Sequence, residues 1–451
     1  MSNAKLFGTD GIRSRAGEFP LNAPAIVAIG QAVGEKLGGT ILVGQDTRVS
    51  SPWIFELLKK SISQTPATVT NAGVIPTPAI ALLTKSVKYS GGVMISASHN
   101  PYEDNGIKVF AGDGTKLNDA DEGQVEKRIF ELLKLPQAQG HTDRVPAAQI
   151  SAANATGCLE RYQEILTSHF PSGPWLAGVR IVIDCANGAM SEVASRLLRA
   201  LGADVVVTHA SPNGMNINAG CGAVHVDALR SAMRDSSADF GVAYDGDGDR
   251  SMFMSPNGRL MDGDAILLLM ARRLKKNGKL DPPTVIGTLM TNFSLERMLR
   301  NEGIALTRVA VGDRFIFEEM LRTGSQLGGE PSGHIIFRDF RLSGDGLLTT
   351  LKVAEAIADD HLAFEKLTKE WVEAPQLLKN VRVKSKVPLE TLPAVQTKMT
   401  EVHQALRDRG RLVVRYSGTE PLLRVMIESD DAGDNERLME ELLGTIREHL
   451  L

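Results

Sequence analysis

Three aspartates alternate with glycine in the segment DGDGDR at residues 245–250. Successive side chains of an extended chain point to opposite sides, so Asp245, Asp247 and Asp249 share one side of this loop. The intervening glycines let the backbone wrap closely. Carboxylate oxygens in such a set are ligands that a hard cation such as Mg²⁺ prefers. The alternative is a solvated Asp-Gly turn, and the segment lacks the glycine and glutamate positions of an EF-hand.

A second polar segment, SASHNP at residues 96–101, ends an apolar run and is followed by Asn105, Gly106 and Lys108. The chain has no G-x-S-x-G sequence, so a serine-hydrolase elbow has no support. A serine without a partnered base can still carry a phosphoryl group, because that transfer depends mainly on positioning and charge neutralisation. Ser98 is therefore a candidate phosphoryl carrier. The structural alternative is a proline-terminated turn.

Two further segments combine charged groups, hydroxyls and glycine. GEPSGH at residues 329–334 offers a carboxylate, a hydroxyl and an imidazole, which suit sugar hydroxyls or proton transfer near neutral pH. RYSGTEP at residues 415–421, followed by Arg424, brings two guanidinium groups to a glycine turn. Guanidinium forks match phosphate oxygens, so this segment predicts a phosphate cradle. A structural histidine and a surface turn are the respective alternatives.

A strand–helix–strand unit recurs three times, and its elements must position these segments. In the first copy the predicted strands are residues 41–46, a run that begins near 68, and 92–96, with a helix at 54–62. In the second copy the strands are 180–184, 204–208 and 240–244, with a helix at 193–201. In the third copy the strands are 284–289 and 305–311, with a helix at 292–299. This order predicts parallel pairing in helix-covered sheets, whose ligands bind beyond the carboxyl ends of the strands. Coincidence of a common pattern is the alternative. From about residue 375 the pattern changes to a smaller α+β unit.

Length, charge and composition exclude several classes of protein. The chain has 451 residues, which predicts three or four domains, and its net charge of −4 argues against a nucleic-acid binder. No apolar run reaches the roughly 18–20 residues of a membrane span, and the first residues lack the apolar stretch of a signal peptide. The three cysteines are widely spaced and form no CxxC pair, which argues against a disulfide framework or a zinc site. We expect a soluble, cytoplasmic protein.

Taken together, the polar segments resemble those of the α-D-phosphohexomutases over nearly the whole chain. The matching segments are FGTDGIR at 7–13, GQDTR at 44–48, PTPA at 76–79, ISASHNPYEDNGIK at 95–108, DCANGA at 184–189, PNGMNINAGCGA at 212–223, DGDGDR at 245–250, VGDR at 311–314, GEPSGH at 329–334 and SGTEPLLRVM at 417–426. The resemblance implies an α/β protein: three related α/β domains with mixed sheets around a central cleft, and a smaller α+β C-terminal domain. We place these domains at residues 1–150, 151–252, 253–370 and 371–451.

The resemblance also implies a role for each matching residue. Ser98 would be a phosphoserine that binds one Mg²⁺ per subunit together with Asp245, Asp247 and Asp249. The other residues of the catalytic centre would be His99, which supports the serine loop, and the cations Lys108, Arg250 and Arg13. The sugar-specificity loop would supply Glu330, Ser332 and His334. The loop that holds the non-reacting phosphate would supply Arg415, Ser417, Gly418, Thr419 and Arg424.

The implied reaction is an isomerisation through a phosphoserine enzyme and a sugar 1,6-bisphosphate. Other branches of the family have a histidine where this chain has the segment GDR at 312–314. The resemblance is therefore greater to the branch that interconverts glucosamine 6-phosphate and glucosamine 1-phosphate. Glucosamine or glucose 1,6-bisphosphate would be the activator. Pro331 departs from the family pattern and fixes φ, so phosphoglucomutase and phosphomannomutase activities stay open.

A Mg²⁺-dependent sugar phosphatase and a non-catalytic binding module are the alternatives from other classes. The expected partner is a small sugar phosphate, with no nucleic acid and no membrane. We expect a monomer or a homodimer.

Overall fold

The computed structural model describes residues 5–134, 157–340, 343–417 and 421–450. Within these ranges the chain forms four β-sheets, each covered by helices. Three units are α/β and the last is α+β, so the expected fold class is confirmed. No described helix combines the length and the hydrophobicity that crossing a bilayer requires.

The first unit places a mixed sheet among four helices. Its elements are β1 (Ile12–Arg15), α1 (Ala23–Leu37), β2 (Thr40–Gln45), α2 (Ser51–Ile62), β3 (Thr68–Val74), α3 (Thr77–Val87), β4 (Gly91–Ile95), β5 (Asp104–Ala111) and α4 (Asp119–Leu133). The strand order is β1-β5-β4-β2-β3. Strands β2, β3 and β4 pair in parallel, as the repeat predicts, whereas β5 and β1 run antiparallel at the other side. Lys108 therefore lies on a strand, opposite Met94 of β4.

The second unit repeats this arrangement. Its elements are α5 (Cys158–Thr167), β6 (Arg180–Asp184), α6 (Met190–Ala200), β7 (Asp204–Thr208), α7 (Asp227–Met233), β8 (Phe240–Tyr244), β9 (Ser251–Met254) and β10 (Leu260–Met261). The sheet order is β10-β9-β8-β6-β7, with β6, β7 and β8 parallel. Strand β9 crosses the expected division at residues 252 and 253, because it pairs with β8. The division points themselves stay a prediction.

The third unit follows the same order with a shorter sheet. Its elements are α8 (Gly263–Lys276), β11 (Thr284–Thr288), α9 (Phe293–Asn301), β12 (Ala305–Val309), α10 (Asp313–Thr323), β13 (Leu327–Gly329), β14 (Ile335–Phe337), α11 (Gly346–Asp359) and α12 (Ala363–Glu370). The strand order is β12-β11-β13-β14. Strands β13 and β14 are antiparallel, and the segment GEPSGH forms the turn between them.

The fourth unit is antiparallel. Its elements are β15 (Gln376–Arg382), α13 (Pro393–Leu406), β16 (Gly410–Tyr416), β17 (Leu422–Ser429) and α14 (Ala432–Leu450). The strand order is β15-β17-β16.

A shared apolar core holds the first three units together. One cluster of buried side chains runs from Ile80 on α3 through Phe240 on β8 to Leu267 on α8 and Leu351 on α11. The fourth unit has a separate core, which includes Val425 on β17. Loops at the strand ends of the first three units are therefore fixed relative to one another by packing.

Candidate functional site

Ser98 and the three aspartates meet beyond the carboxyl ends of β4 and β8. The Ser98 hydroxyl donates to Asp245 Oδ2 at 2.6 Å. All four side chains are buried, and one oxygen from each aspartate lies within 4.8 Å of the other two. Two polar segments that are 147 residues apart thus form one site.

The aspartate cluster has the properties of a site for a divalent cation. Asp247 Oδ1 and Asp249 Oδ1 are buried and have no hydrogen-bond partner within the described part of the chain. Burial, together with the neighbouring Asp249 and Asp247, raises the pKa of Asp245 well above its usual range, as expected where carboxylates share a site. A cation coordinated by these hard oxygens would satisfy both the orphaned atoms and the concentrated charge. The residues present therefore fit Mg²⁺.

Lys108 faces the cluster from β5. Its Nζ lies 2.8 Å from Asp247 Oδ2, 3.0 Å from Asp10 Oδ2 and 3.2 Å from Asp249 Oδ2. Burial opposes the charge of Lys108, but these three carboxylates hold its pKa well above the ordinary value. The ammonium group is therefore a fixed positive charge beside the aspartates. Asp10 also pairs with Arg13, which ties the first loop of the chain to the site.

Two arginines and a histidine border the serine. The buried Nε atoms of Arg13 and Arg250 have no acceptor among the residues that the structure describes, as expected of groups that receive an anion. His99 Nδ1 lies 3.2 Å from Ser98 Oγ. Burial, helped by Arg250 and Arg13, lowers the pKa of His99 to about 4. At neutral pH the imidazole is therefore uncharged and can exchange a hydrogen bond with the hydroxyl.

A buried arginine that the sequence analysis did not single out holds the serine loop. Arg48 donates to the carbonyl oxygens of Ser98, Asn100 and Asp104 at 2.9 Å each, and also to that of Pro101. The loop needs this support because Ser98 has a φ of +53°, in the left-handed region that side chains other than glycine rarely adopt. The sequence signal that could have identified Arg48 is its position in the segment GQDTR, one of the segments that resemble the family.

Thr77 and Asn218 connect neighbouring units to the site and were also missed. Thr77 Oγ1 donates to Asp247 Oδ2 at 2.5 Å, and its backbone N–H donates to the Asp247 carbonyl at 2.9 Å. Asn218 Nδ2 donates to the Ser98 carbonyl at 2.9 Å. The first unit thus orients a metal-type ligand of the second, and the second unit holds the serine loop of the first.

The GEPSGH turn of the third unit reaches the same cluster. His334 is buried, its Nδ1 lies 3.7 Å from Asp249 Oδ1, and its Nε2 accepts from the N–H of Gly344 at 2.8 Å. Ser332 Oγ lies 3.4 Å from Glu330 Oε2, so a carboxylate and a hydroxyl stand side by side. The structure brings His334 to the aspartates and pairs Glu330 with Ser332 on the same turn.

The last polar segment lies in the fourth unit, apart from the shared core. Arg415 on β16 pairs in register with Arg424 on β17. The Ser417 carbonyl accepts from Lys386 Nζ at 2.7 Å, which adds a cation that the sequence analysis did not name. The structure thus groups three cations and a hydroxyl residue at one end of this sheet. Two expected members of the segment lie outside the described residues, Gly418 and Thr419.

Family comparisons cover the four units in order. The chain matches family models described as phosphoglucomutase/phosphomannomutase alpha/beta/alpha domains I, II and III and the C-terminal domain, at residues 4–135, 160–258, 262–374 and 378–445. It is 43% identical to a phosphoglucosamine mutase of Solibacter usitatus over 99% of both chains. A phosphoglucosamine mutase of Deinococcus radiodurans is 41% identical over 96% of both chains.

Solved structures share the fold. A phosphoglucomutase/phosphomannomutase family protein of Burkholderia thailandensis superposes with a TM-score of 0.80 at 22% identity, covering 99% of this chain and 98% of that one. An N-acetylphosphoglucosamine mutase of Aspergillus fumigatus, solved with GlcNAc-6P and magnesium, gives a TM-score of 0.63 at 18% identity, covering 98% of this chain and 95% of that one. These likenesses extend over all four units.

Proposed function

Because the chain belongs to the phosphoglucomutase/phosphomannomutase family, we propose that it interconverts glucosamine 6-phosphate and glucosamine 1-phosphate. The relatives named phosphoglucosamine mutase support this substrate, since they match at 41–43% identity over nearly the whole chain. The observation that carries the chemistry is the Ser98 hydroxyl, which donates at 2.6 Å to Asp245 within a buried acidic cluster. A hydroxyl in such a cluster can carry a phosphoryl group, because that transfer depends mainly on positioning and charge neutralisation.

In the proposed reaction, phosphoserine 98 donates its phosphoryl group to O1 of a sugar 6-phosphate. The Oγ–P bond breaks, an O1–P bond forms, and the proton of the O1 hydroxyl ends on Ser98 Oγ. The resulting 1,6-bisphosphate turns over in the cleft. Ser98 Oγ then attacks the phosphorus on O6: the Oγ–P bond forms, the O6–P bond breaks, the serine proton passes to O6, and the phosphoserine is regenerated.

The side chains around Ser98 position the transferring group and balance its charge. A Mg²⁺ ion held by Asp245, Asp247, Asp249 and the serine phosphate would supply Lewis-acid stabilisation. Lys108 adds a fixed positive charge, and the free Nε–H groups of Arg13 and Arg250 are available to phosphate oxygens. The serine phosphate brings a charge of about −1.5 to −2, which explains why cations surround an already acidic site.

Other loops would select the substrate. Glu330 and Ser332 offer an acceptor and a hydroxyl to the sugar, and His334 joins that turn to the aspartates. The non-reacting phosphate would bind the loop of the fourth unit, whose proposed ligands are Arg415, Ser417, Gly418, Thr419 and Arg424. The proposal includes one Mg²⁺ per chain and activation by glucosamine or glucose 1,6-bisphosphate. It also includes a cytoplasmic location and a monomeric or homodimeric state.

A comparison of substrates tests the proposed function. The kcat/KM for glucosamine 6-phosphate should clearly exceed the values for glucose 6-phosphate and mannose 6-phosphate, with Ser98→Ala as the inactive control. Comparable values for the three sugars would contradict the glucosamine assignment. Accumulation of free phosphate in place of the isomer would identify a phosphatase instead.

A further inference from the structure

A second group of metal-type ligands lies outside the Ser98 site, at the carboxyl edge of the second sheet. Asp184 ends β6, His209 directly follows β7, and Cys221 lies on the loop between β7 and α7. Since β6 and β7 pair in parallel, the first two residues emerge at the same edge. One ligand atom from each of the three side chains lies within 4.8 Å of the other two.

The spacing of these atoms suits a small coordination sphere. His209 Nδ1 lies 3.2 Å from Asp184 Oδ2. In a tetrahedral site with zinc–nitrogen and zinc–oxygen bonds of about 2.0–2.2 Å, two such ligand atoms stand roughly 3.3–3.6 Å apart, close to the observed distance. The Nδ1 atom is buried and has no hydrogen-bond partner within the ranges that the structure describes. A metal bound at this position would give that atom a partner.

Backbone and amide donors already orient the other two ligands. The Asp184 carboxylate accepts from the N–H groups of Ala186 at 2.9 Å and Gly222 at 3.0 Å. Asn187 Nδ2 donates to the Cys221 sulfur at 3.8 Å. Donors of this kind fix ligand orientation and stabilise negative charge on carboxylate and sulfur, as the outer shell of a metal site does. Asp184 is fully buried, and His209 Nδ1 lies 3.2 Å from its carboxylate.

We propose that Asp184, His209 and Cys221 bind a divalent cation of borderline softness, with Zn²⁺ as the best match. A set of sulfur, nitrogen and oxygen ligands is typical of zinc, whereas Mg²⁺ prefers oxygen alone. The two clusters therefore select different metals. The His209 side chain is 36% exposed, whereas Asp184 and Cys221 are buried.

This site is connected to the serine loop through the segment that carries Cys221. The N–H of Asn218 donates to the Ala186 carbonyl at 2.9 Å, and the Asn218 side chain donates to the Ser98 carbonyl at 2.9 Å. A metal that joins Cys221 to the end of β6 holds the segment between His209 and Gly222 against the sheet. Its binding should therefore stabilise the support of the Ser98 loop.

Cobalt spectroscopy on the full-length, Mg²⁺-saturated protein tests the proposal. Co²⁺ bound to Cys221 gives a thiolate-to-cobalt charge-transfer band in the near ultraviolet, which an all-oxygen aspartate site does not. We expect this band to saturate at one equivalent and to disappear when Zn²⁺ is added. Because the band does not depend on catalysis, it stays informative even if the proposed function is wrong.

Matched variants identify the ligands. Cys221→Ser should remove the band, whereas Cys185→Ser, which alters a buried neighbouring thiol outside the three-ligand group, should keep it. His209→Asn tolerates the local φ of +47° and should weaken Zn²⁺ binding by at least about tenfold, the smallest loss seen when even an outer-shell partner is removed. Absence of the band from the wild type, its persistence in Cys221→Ser or unchanged affinity in His209→Asn would overturn the proposal.

Discussion

Replacing Arg48 by lysine tests whether the buried guanidinium holds the serine loop in its active conformation. The Arg48 side chain donates to five acceptors: Asp46 Oδ2 at 2.8 Å and the carbonyl oxygens of residues 98, 100, 101 and 104. Lysine keeps the positive charge but offers three donors from a single nitrogen. At least two of the five acceptors therefore lose the hydrogen bond from this side chain.

The magnitude follows from these contacts. A hydrogen bond from a charged donor is worth about 1.5–3 kcal/mol, so two lost bonds should lower the free energy of unfolding by about 3–6 kcal/mol. The left-handed backbone of Ser98 costs on the order of 1–3 kcal/mol and persists only when its surroundings enforce it. A displacement of about 1 Å at a reacting group can reduce the rate by roughly 10². We therefore expect kcat to fall about 100-fold in Arg48→Lys, with a smaller change in KM.

The assay combines urea unfolding with rapid-quench measurement of phosphoryl transfer from Ser98 to the sugar. Arg128→Lys is the matched control, because Arg128 also pairs with a carboxylate, that of Glu35, but both side chains are 41% exposed. An exposed pair of this kind contributes up to about 1 kcal/mol. If Arg48→Lys matches Arg128→Lys in both stability and transfer rate, the positioning role of Arg48 is refuted.

Three further predictions concern the metal cluster, the second support of the serine loop and Asp262, a partly buried acid. Asp247→Asn removes a ligand charge and should abolish most turnover with little change in the far-ultraviolet circular dichroism spectrum; retained activity after chelation would contradict the metal assignment. Aspartate tolerates the φ of +57° at position 218, but Asn218→Asp places an oxygen against the Ser98 carbonyl. The kcat should fall at least about tenfold, since one hydrogen bond of about 1.4 kcal/mol corresponds to a factor of about ten. An unchanged kcat would show that this contact does not position Ser98. Burial raises the pKa of Asp262 from 3.8 to about 7, so the folded state binds this proton more tightly, and the resulting stability is lost as pH rises through 7. Between about pH 4 and pH 7, the unfolding midpoint of the wild type should therefore fall more than that of Asp262→Asn. The control Asp235→Asn, which changes an exposed acid, should follow the wild type. If the midpoints of Asp262→Asn and the wild type change in parallel with pH, the raised pKa of Asp262 is contradicted.

The parallel strands could be predicted closely from the sequence. The boundaries of β6, β7 and β8 coincide with the apolar runs at 180–184, 204–208 and 240–244. The strands β6 and β8 are central in the sheet and buried on both faces, which gives them continuous apolar runs. The edge strand β7 is only partly buried, but its run ends at a polar turn as well. The antiparallel strand β5 was not predicted. Its sequence DNGIKVFA carries a buried asparagine and a buried lysine, so functional polar groups interrupt the apolar pattern.

The aspartates and Ser98 could be proposed as site residues because each group stands in a compact, unusual segment. The residues that hold these groups in place could not be predicted, because their partners are distant in the sequence. Thr77 contacts a residue 170 positions away, and Asn218 contacts one 120 positions away. The Asp184, His209 and Cys221 cluster shows the same limit. Cysteine spacing argued against a zinc site, because it cannot show that the fold brings one cysteine to a histidine and an aspartate from two strand ends.

The central claim is that Ser98 carries the phosphoryl group that the isomerisation exchanges. Peptide mass spectrometry after incubation with glucose 1,6-bisphosphate, followed by addition of glucosamine 6-phosphate, measures this directly. We predict a phosphate on Ser98 that is transferred to the sugar on the timescale of turnover, and no modification or activity in Ser98→Ala. An unmodified Ser98 under these conditions, or mutase activity in Ser98→Ala, would contradict the account.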